Sequence, residues 1–255
     1  MKLENIIINL REREPWEAVD LGTRLILALA KSIFIPWIVL ISIAVSLSIY
    51  IQLSGYPALG FFIFWLFKPV YDSLLLYIVS NELFYENISG RNIIRNIRVW
   101  LVPGFKHSIY WWRLSPARSF VMPVHNLENL TGSSRRNRLS VLQKDTSAHA
   151  LGLTVMALCY ELLINLSLMA LVLFMVPDEF SSALWNYIEG TGEEYSGLVL
   201  NTIYYGVTVF LIEPIYLGAG FMLYLNRRVR LEAWDIEIAF KKINNRLTTR
   251  VSHVP

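Results

Sequence analysis

Four ionisable residues stand inside stretches that are otherwise almost wholly apolar: Lys68 and Asp72, then Glu161, then Glu213. Residues four apart share one face of a helix, so Lys68 and Asp72 can meet there. A charge at the centre of a bilayer costs about 2.5–3.5 kcal/mol on insertion scales, so each must face other helices or water. Two kinds of chemistry follow. The set can be internal ion pairs that fix how helices associate, or it can pass a proton, an ion or a small substrate. One base does not balance three acids, and protonation of a carboxyl removes part of the excess. Pro69 beside Lys68 and Pro214 after Glu213 each remove a backbone hydrogen bond, so a helix kink is expected at both.

The surrounding sequence must place these residues in a membrane. Of 255 residues 55% are hydrophobic and 17% charged, with mean hydropathy +0.44; soluble domains run nearer about 45–50% and 25%. A helix needs about 20 apolar residues to cross a hydrocarbon layer about 30 Å thick. Four stretches qualify: Ser32 to Ile51, Pro57 to Ser80, Leu151 to Val176 and Gly197 to Leu225. The Leu25–Ala30 run extends the first as a tilted or interfacial piece, and Lys31 lies near its end. The expected fold is therefore all-α and polytopic, with four transmembrane helices plus amphipathic interfacial and cytoplasmic helices; further re-entrant pieces stay open. The chain divides into an N-terminal segment 1–31, a first helix pair 32–81, a basic aromatic loop region 82–150, a second pair 151–225 with an acidic outer loop 177–196, and a tail 226–255.

Lys and Arg set the orientation. Residues before the first span, between the second and third, and after the fourth are rich in both, whereas the connections at 52–56 and 177–196 contain neither. Basic loops stay in the cytoplasm, so both termini are expected there. No cleavable signal is expected, because the first apolar run follows a segment of mixed charge and is too long for a signal core.

Spans two and four share a pattern. Lys68-Pro69-Val70-Tyr71 precedes Asn81 at the same separation as Glu213-Pro214-Ile215-Tyr216 precedes Asn226. Lys68 and Glu213 should then lie at one depth, roughly 20 Å of helix from the cytoplasmic end. The match is either chance or the trace of two parallel helix-pair repeats.

In the loop region, Ile93, Ile94, Ile97 and Leu101 form one face and Arg91, Arg95 and Arg98 another. This is the pattern of a helix in the headgroup layer with its bases toward anionic lipid, and Trp111, Trp112 and Arg113 extend it. Arg135, Arg136 and Arg138 follow Ser133-Ser134, a helix cap, on a solvated or lipid-facing helix. In the tail, Ala233, Ile236, Phe240, Ile243 and Leu247 make an apolar stripe. It packs within the chain by default; alternatively Arg227, Arg228, Trp234, Asp235 and Phe240 form a partner surface. Phe180, Leu184 and Ile188 suggest a short outer interfacial helix.

Motifs for catalysis are missing. The four histidines are scattered, and no phosphate loop, nucleophile elbow or zinc motif occurs. Pairs such as His125 with Glu128, or His149 with Asp145, are coincidences that any polar loop supplies. The single cysteine, Cys159, forms no intramolecular disulfide or cysteine-based metal site. No catalytic residue, metal or cofactor is expected, and positive-inside loops explain the bases without nucleic acid.

Three stretches carry a resemblance: residues 15–22 (Pro15-Trp16 to Leu21-Gly22), residues 113–120 (Arg113-Leu114-Ser115-Pro116 to Phe120), and residues 225–237 with Asn226-Arg227-Arg228 and Trp234-Asp235. With Lys68 to Asp72 and Glu213-Pro214, the chain resembles an uncharacterised family of bacterial, largely proteobacterial, inner-membrane proteins, often encoded near a MoxR-type AAA+ ATPase and von Willebrand factor A-type proteins. The resemblance implies an inner-membrane accessory role with nearby-encoded cytoplasmic or membrane partners, and no catalytic residues. The expectation is a non-enzymatic membrane component that anchors or regulates a cytoplasmic-face assembly. The alternative is a small transporter or channel using Lys68, Asp72, Glu161 and Glu213.

Overall fold

The computed structural model describes residues 11–84, 90–109, 115–128, 130, 132–175 and 194–232. Ten helices cover most of these: α1 (Pro15–Ala28), α2 (Ala30–Leu53), α3 (Pro57–Leu66), α4 (Lys68–Phe84), α5 (Gly90–Arg95), α6 (Ile97–Ile109), α7 (Arg118–Asn126), α8 (Gly132–Gln143), α9 (Ser147–Met175) and α10 (Glu194–Glu232). The protein is all-α and polytopic. Among the described residues four helices are long and apolar enough to cross a membrane: Ala30–Leu53, Pro57–Phe84, Ser147–Val172 and Leu198–Glu232.

Burial sorts these four into two classes. The most apolar windows of the second and fourth are 67% and 72% buried, those of the first and third only 22% and 11%. The α4 and α10 helices therefore form the centre. The α2 and α9 helices turn Ile35, Val39, Ile43, Val155, Leu162 and Leu166 outward, an inversion that suits a lipid solvent.

Small residues allow the central helices to touch. A Cβ on Gly22 would lie 2.4 Å from the carbonyl oxygen of Gly218, so α1 runs against the backbone of α10. Asn226 then fastens the start of that path, accepting from the Arg13 backbone N–H at 2.9 Å and donating to its carbonyl at 2.8 Å. The Leu25–Ala30 run is thus divided between α1 and α2, whose boundary is at Leu29.

The two prolines behave differently. The second span breaks at Phe67, between α3 and α4, where the Val70 N–H reaches back only three residues, to Phe67. At Pro214, by contrast, α10 continues as one helix through the proline. The residue whose carbonyl Pro214 leaves unpaired is Phe210, four positions earlier. Trp37 of α2 supplies the missing donor, its indole Nε1 lying 3.0 Å from that oxygen.

The largest departure lies in the loop region. It was expected to remain in the headgroup layer, yet α6 turns back along α4 in antiparallel sense. Asn96 Nδ2 meets the Tyr77 hydroxyl at 3.1 Å, Ser73 Oγ donates to the Trp100 carbonyl at 2.6 Å, and the Phe105 and Phe67 rings pack edge to face at 5.1 Å. A Cβ on Gly104 would sit 2.7 Å from the Val70 Cα. The chain then returns as α7 beside α10, with Phe120, Met122 and Val124 fully buried. Together α6 and α7 form a helical hairpin inserted to the level of Lys68. The apolar content of α7 is too short to span, but it fills the space between α4 and α10.

Candidate functional site: an ion cluster inside the bundle

The structure brings Lys68, Asp72, Glu161 and Glu213 together and adds a fifth member. Lys68 opens α4 immediately after the break at Phe67, and Asp72 follows one turn later. Glu213 precedes Pro214 on α10, and Glu161 comes from α9. The fifth is Arg118, the first residue of α7, which the inserted hairpin carries to the same level. All are buried, Asp72 and Glu213 with no exposed surface.

The charges alternate along a chain. Glu161 pairs with Lys68, and Lys68 Nζ lies 2.7 Å from Glu213 Oε2. The other oxygen of Glu213 pairs with Arg118 Nη2, and Arg118 Nε is 2.9 Å from Asp72 Oδ2. Glu213 is the centre, with one cation on each oxygen. The Lys68–Glu213 contact meets the expectation that these residues share a depth. The expected local pairing of Lys68 with Asp72 is replaced: Lys68 faces α9 and α10, while Asp72 is taken by Arg118.

Aromatic faces complete the cations' surroundings. The Tyr205 ring centroid is 5.9 Å from Lys68 Nζ, and that of Tyr216 is 5.5 Å from the Arg118 guanidinium carbon. Ring quadrupoles stabilise cations most where water is excluded. The Tyr216 hydroxyl also accepts from the Ser119 backbone N–H at 3.2 Å and meets Thr154 Oγ1 at 3.0 Å, tying α7, α9 and α10 at the cluster.

Formal charges leave one acid in excess, three carboxyls against two cations. Asp72 Oδ1 is buried and makes no hydrogen bond. An unmatched buried carboxylate is costly, so a proton or a small cation on the cluster would relieve it. Two cavities meet at this point. One of about 330 Å³ is lined by Lys68, Glu161, Tyr205 and Tyr216; the other, of about 660 Å³, lies between α7 and α8; Ser115 and Arg118 line both. No group of three His, Cys, Asp or Glu among the described residues is placed to hold a metal.

Where α4 and α10 end, a second network closes the bundle. Glu128 receives the Arg138 guanidinium at 2.9 and 3.1 Å and the Tyr224 hydroxyl at 2.6 Å. Glu232 accepts from Arg228 Nη2 at 2.7 Å and also pairs with Arg138. Hydrogen bonds that Arg138 donates to Glu128 and Glu232 hold it above its usual pKa despite the opposing effect of burial. Arg227 meets Asp145 at 3.5 Å. Arg227 and Arg228, expected on a partner surface, are thus turned onto α7, α8 and their own helix, because the chain's own carboxylates reach them first. Nor does Glu128 serve His125, and the His149 ring packs at 5.8 Å against Trp16.

Arg91, Arg95 and Arg98 are exposed on α5 and α6. Trp111, Trp112, Arg113, Trp234, Asp235, Phe240, the rest of the tail stripe and the Phe180–Ile188 segment lie outside the described residues. Arg118 is the functional candidate missed from sequence. Its signal was the arithmetic itself, one base for three acids, beside an arginine heading an apolar run too short to span. Comparison with family models, with curated proteins and with solved structures gives no match.

Proposed function

We propose that the chain is a non-enzymatic membrane component that anchors or regulates a protein assembly on the face where α4 and α10 end, the cytoplasmic face on its loop charges. The observation that supports this is the position of α7. Arg118 at its start belongs to the buried ion cluster, and Glu128, just beyond its end, belongs to the network that organises α8 and the end of α10. One short helix therefore links the charge state of the interior to the arrangement of the basic face, which is what a regulator of bound proteins needs. The resemblance to inner-membrane proteins encoded beside an AAA+ ATPase points the same way. Chemical crosslinking followed by purification in mild detergent tests it. The same partners should return with the wild type and be depleted with Glu128→Gln; recovery of the chain alone removes the proposal.

A second reading, transport through the ion cluster, is favoured by the cavities that meet at Ser115 and Arg118 beside an unmatched acid. Proton flux into proteoliposomes should then occur with the wild type and vanish with Glu213→Gln. Absence of flux from the wild type counts against it.

A further inference from the structure

We propose that the cavity between α7 and α8 is a binding site for a phosphate group. At about 660 Å³ it holds such a group with room for more, and the residues that line it include Arg135, Arg136 and Arg118, whose guanidinium is held by Asp72 and Glu213, with Ser133 and Ser140 and no acidic residue. The nearest acids are committed elsewhere: Glu128 to Arg138 and Tyr224, Asp145 to Arg227, and the cluster acids to Lys68 and Arg118. Arg136 is exposed and forms no ion pair among the described residues.

The charge surplus registers on a neighbour. Burial first, then the cations of Arg135 and Lys106, hold His125 below the ordinary histidine value, against a Leu130 backbone hydrogen bond that raises it. Basic residues lining a pocket without an acid favour an anion. Arginine forks match phosphate oxygens two at a time, which makes phosphate a better fit than a monovalent ion. The first turn of α8, which opens at Gly132, adds its partial positive charge on the same wall.

Such a phosphate has two sources, a lipid headgroup or a free anion, and the test separates them. The full chain is titrated in detergent with inorganic phosphate, and in phosphatidylcholine nanodiscs with and without phosphatidic acid. Binding to inorganic phosphate identifies a free anion; binding to phosphatidic acid alone identifies a headgroup; either supports the site. Arg136→Gln should weaken that binding about tenfold, the loss of one charged hydrogen-bond donor. Ser133→Asp, which places an acid in the cavity, should abolish it, and Arg136→Lys, which keeps the charge but not the fork, should bind between the wild type and Arg136→Gln. Both positions are exposed, so the folded chain should persist. Wild-type binding to neither probe, or binding unchanged in Arg136→Gln and Ser133→Asp, overturns the proposal.

Discussion

Arg118 Nε lies 2.9 Å from Asp72 Oδ2, although the two residues come from different arms of the fold, an inserted hairpin and a central span. Neither charge would be tolerable there alone. Asp72 is wholly buried, and the other end of the Arg118 guanidinium is held by Glu213. Together these acids let Arg118, at the head of α7, sit between α4 and α10, and through Glu128 the same helix bears on the basic end of the bundle.

The unbroken course of α10 depends on a donor from another helix. Trp37→Phe leaves the Phe210 carbonyl unpaired and should cost about 1–3 kcal/mol. Pro214→Ala restores an N–H for that carbonyl, so Trp37→Phe should cost much less in its presence. Additive losses in unfolding free energy would show that the indole bond is not replacing the one Pro214 removes.

Gly104 should resist even alanine. Alanine favours a helix by about 1 kcal/mol over glycine, yet its Cβ here would come 2.7 Å from the Val70 Cα, a backbone atom. Gly104→Ala should destabilise by about 1–3 kcal/mol, the usual cost of overpacking. Gly90→Ala, with nothing within 4 Å, should be neutral or stabilising. Equal tolerance at both positions would mean that α6 does not press on α4.

Acid should act through His125. Its folded value is lowered from 6.5, chiefly by burial. Above 6.5 the imidazole is neutral whether folded or unfolded. As pH falls from there toward the folded value, the unfolded chain takes up the proton first, and stability is lost. His125→Asn should flatten the fall in thermal midpoint as pH drops below about 6.5. Parallel curves for wild type and variant would exclude this histidine as the cause.

The network at the basic end should be sensitive to one charge. Glu128 accepts from Arg138 and Tyr224 together. Glu128→Gln should lower stability by about 1–3 kcal/mol by leaving these donors poorly matched. An unchanged unfolding curve would reduce the network to solvent-screened contacts.

Hydropathy made the spans legible, because each must satisfy its backbone in lipid and so reads as a long apolar run. Lys68 and Glu213 were placed at one depth from a shared spacing, and they touch. What sequence did not reveal was the partner choice. Pairing of Lys68 with Asp72 was the local solution, but side chains from α7, α9 and α10 compete for both residues, and periodicity along one helix carries no information about them. The hairpin was hidden for a related reason. Its arms are short and punctuated by Pro103 and Pro123, and their basic flanks read as loop. The burial of the α7 arm follows only from the groove between α4 and α10, which exists once the spans have assembled.

The most direct test is a double-mutant cycle on Arg118 and Asp72, read as unfolding free energy in one detergent. Arg118→Gln alone should cost about 3–5 kcal/mol, the usual result of stranding a buried charge. Asp72→Asn alone should be nearly neutral, since it balances two acids with two bases. The double variant should recover most of the loss. A stable Arg118→Gln protein, or a double variant no better than Arg118→Gln, would contradict an ion cluster completed by the inserted hairpin.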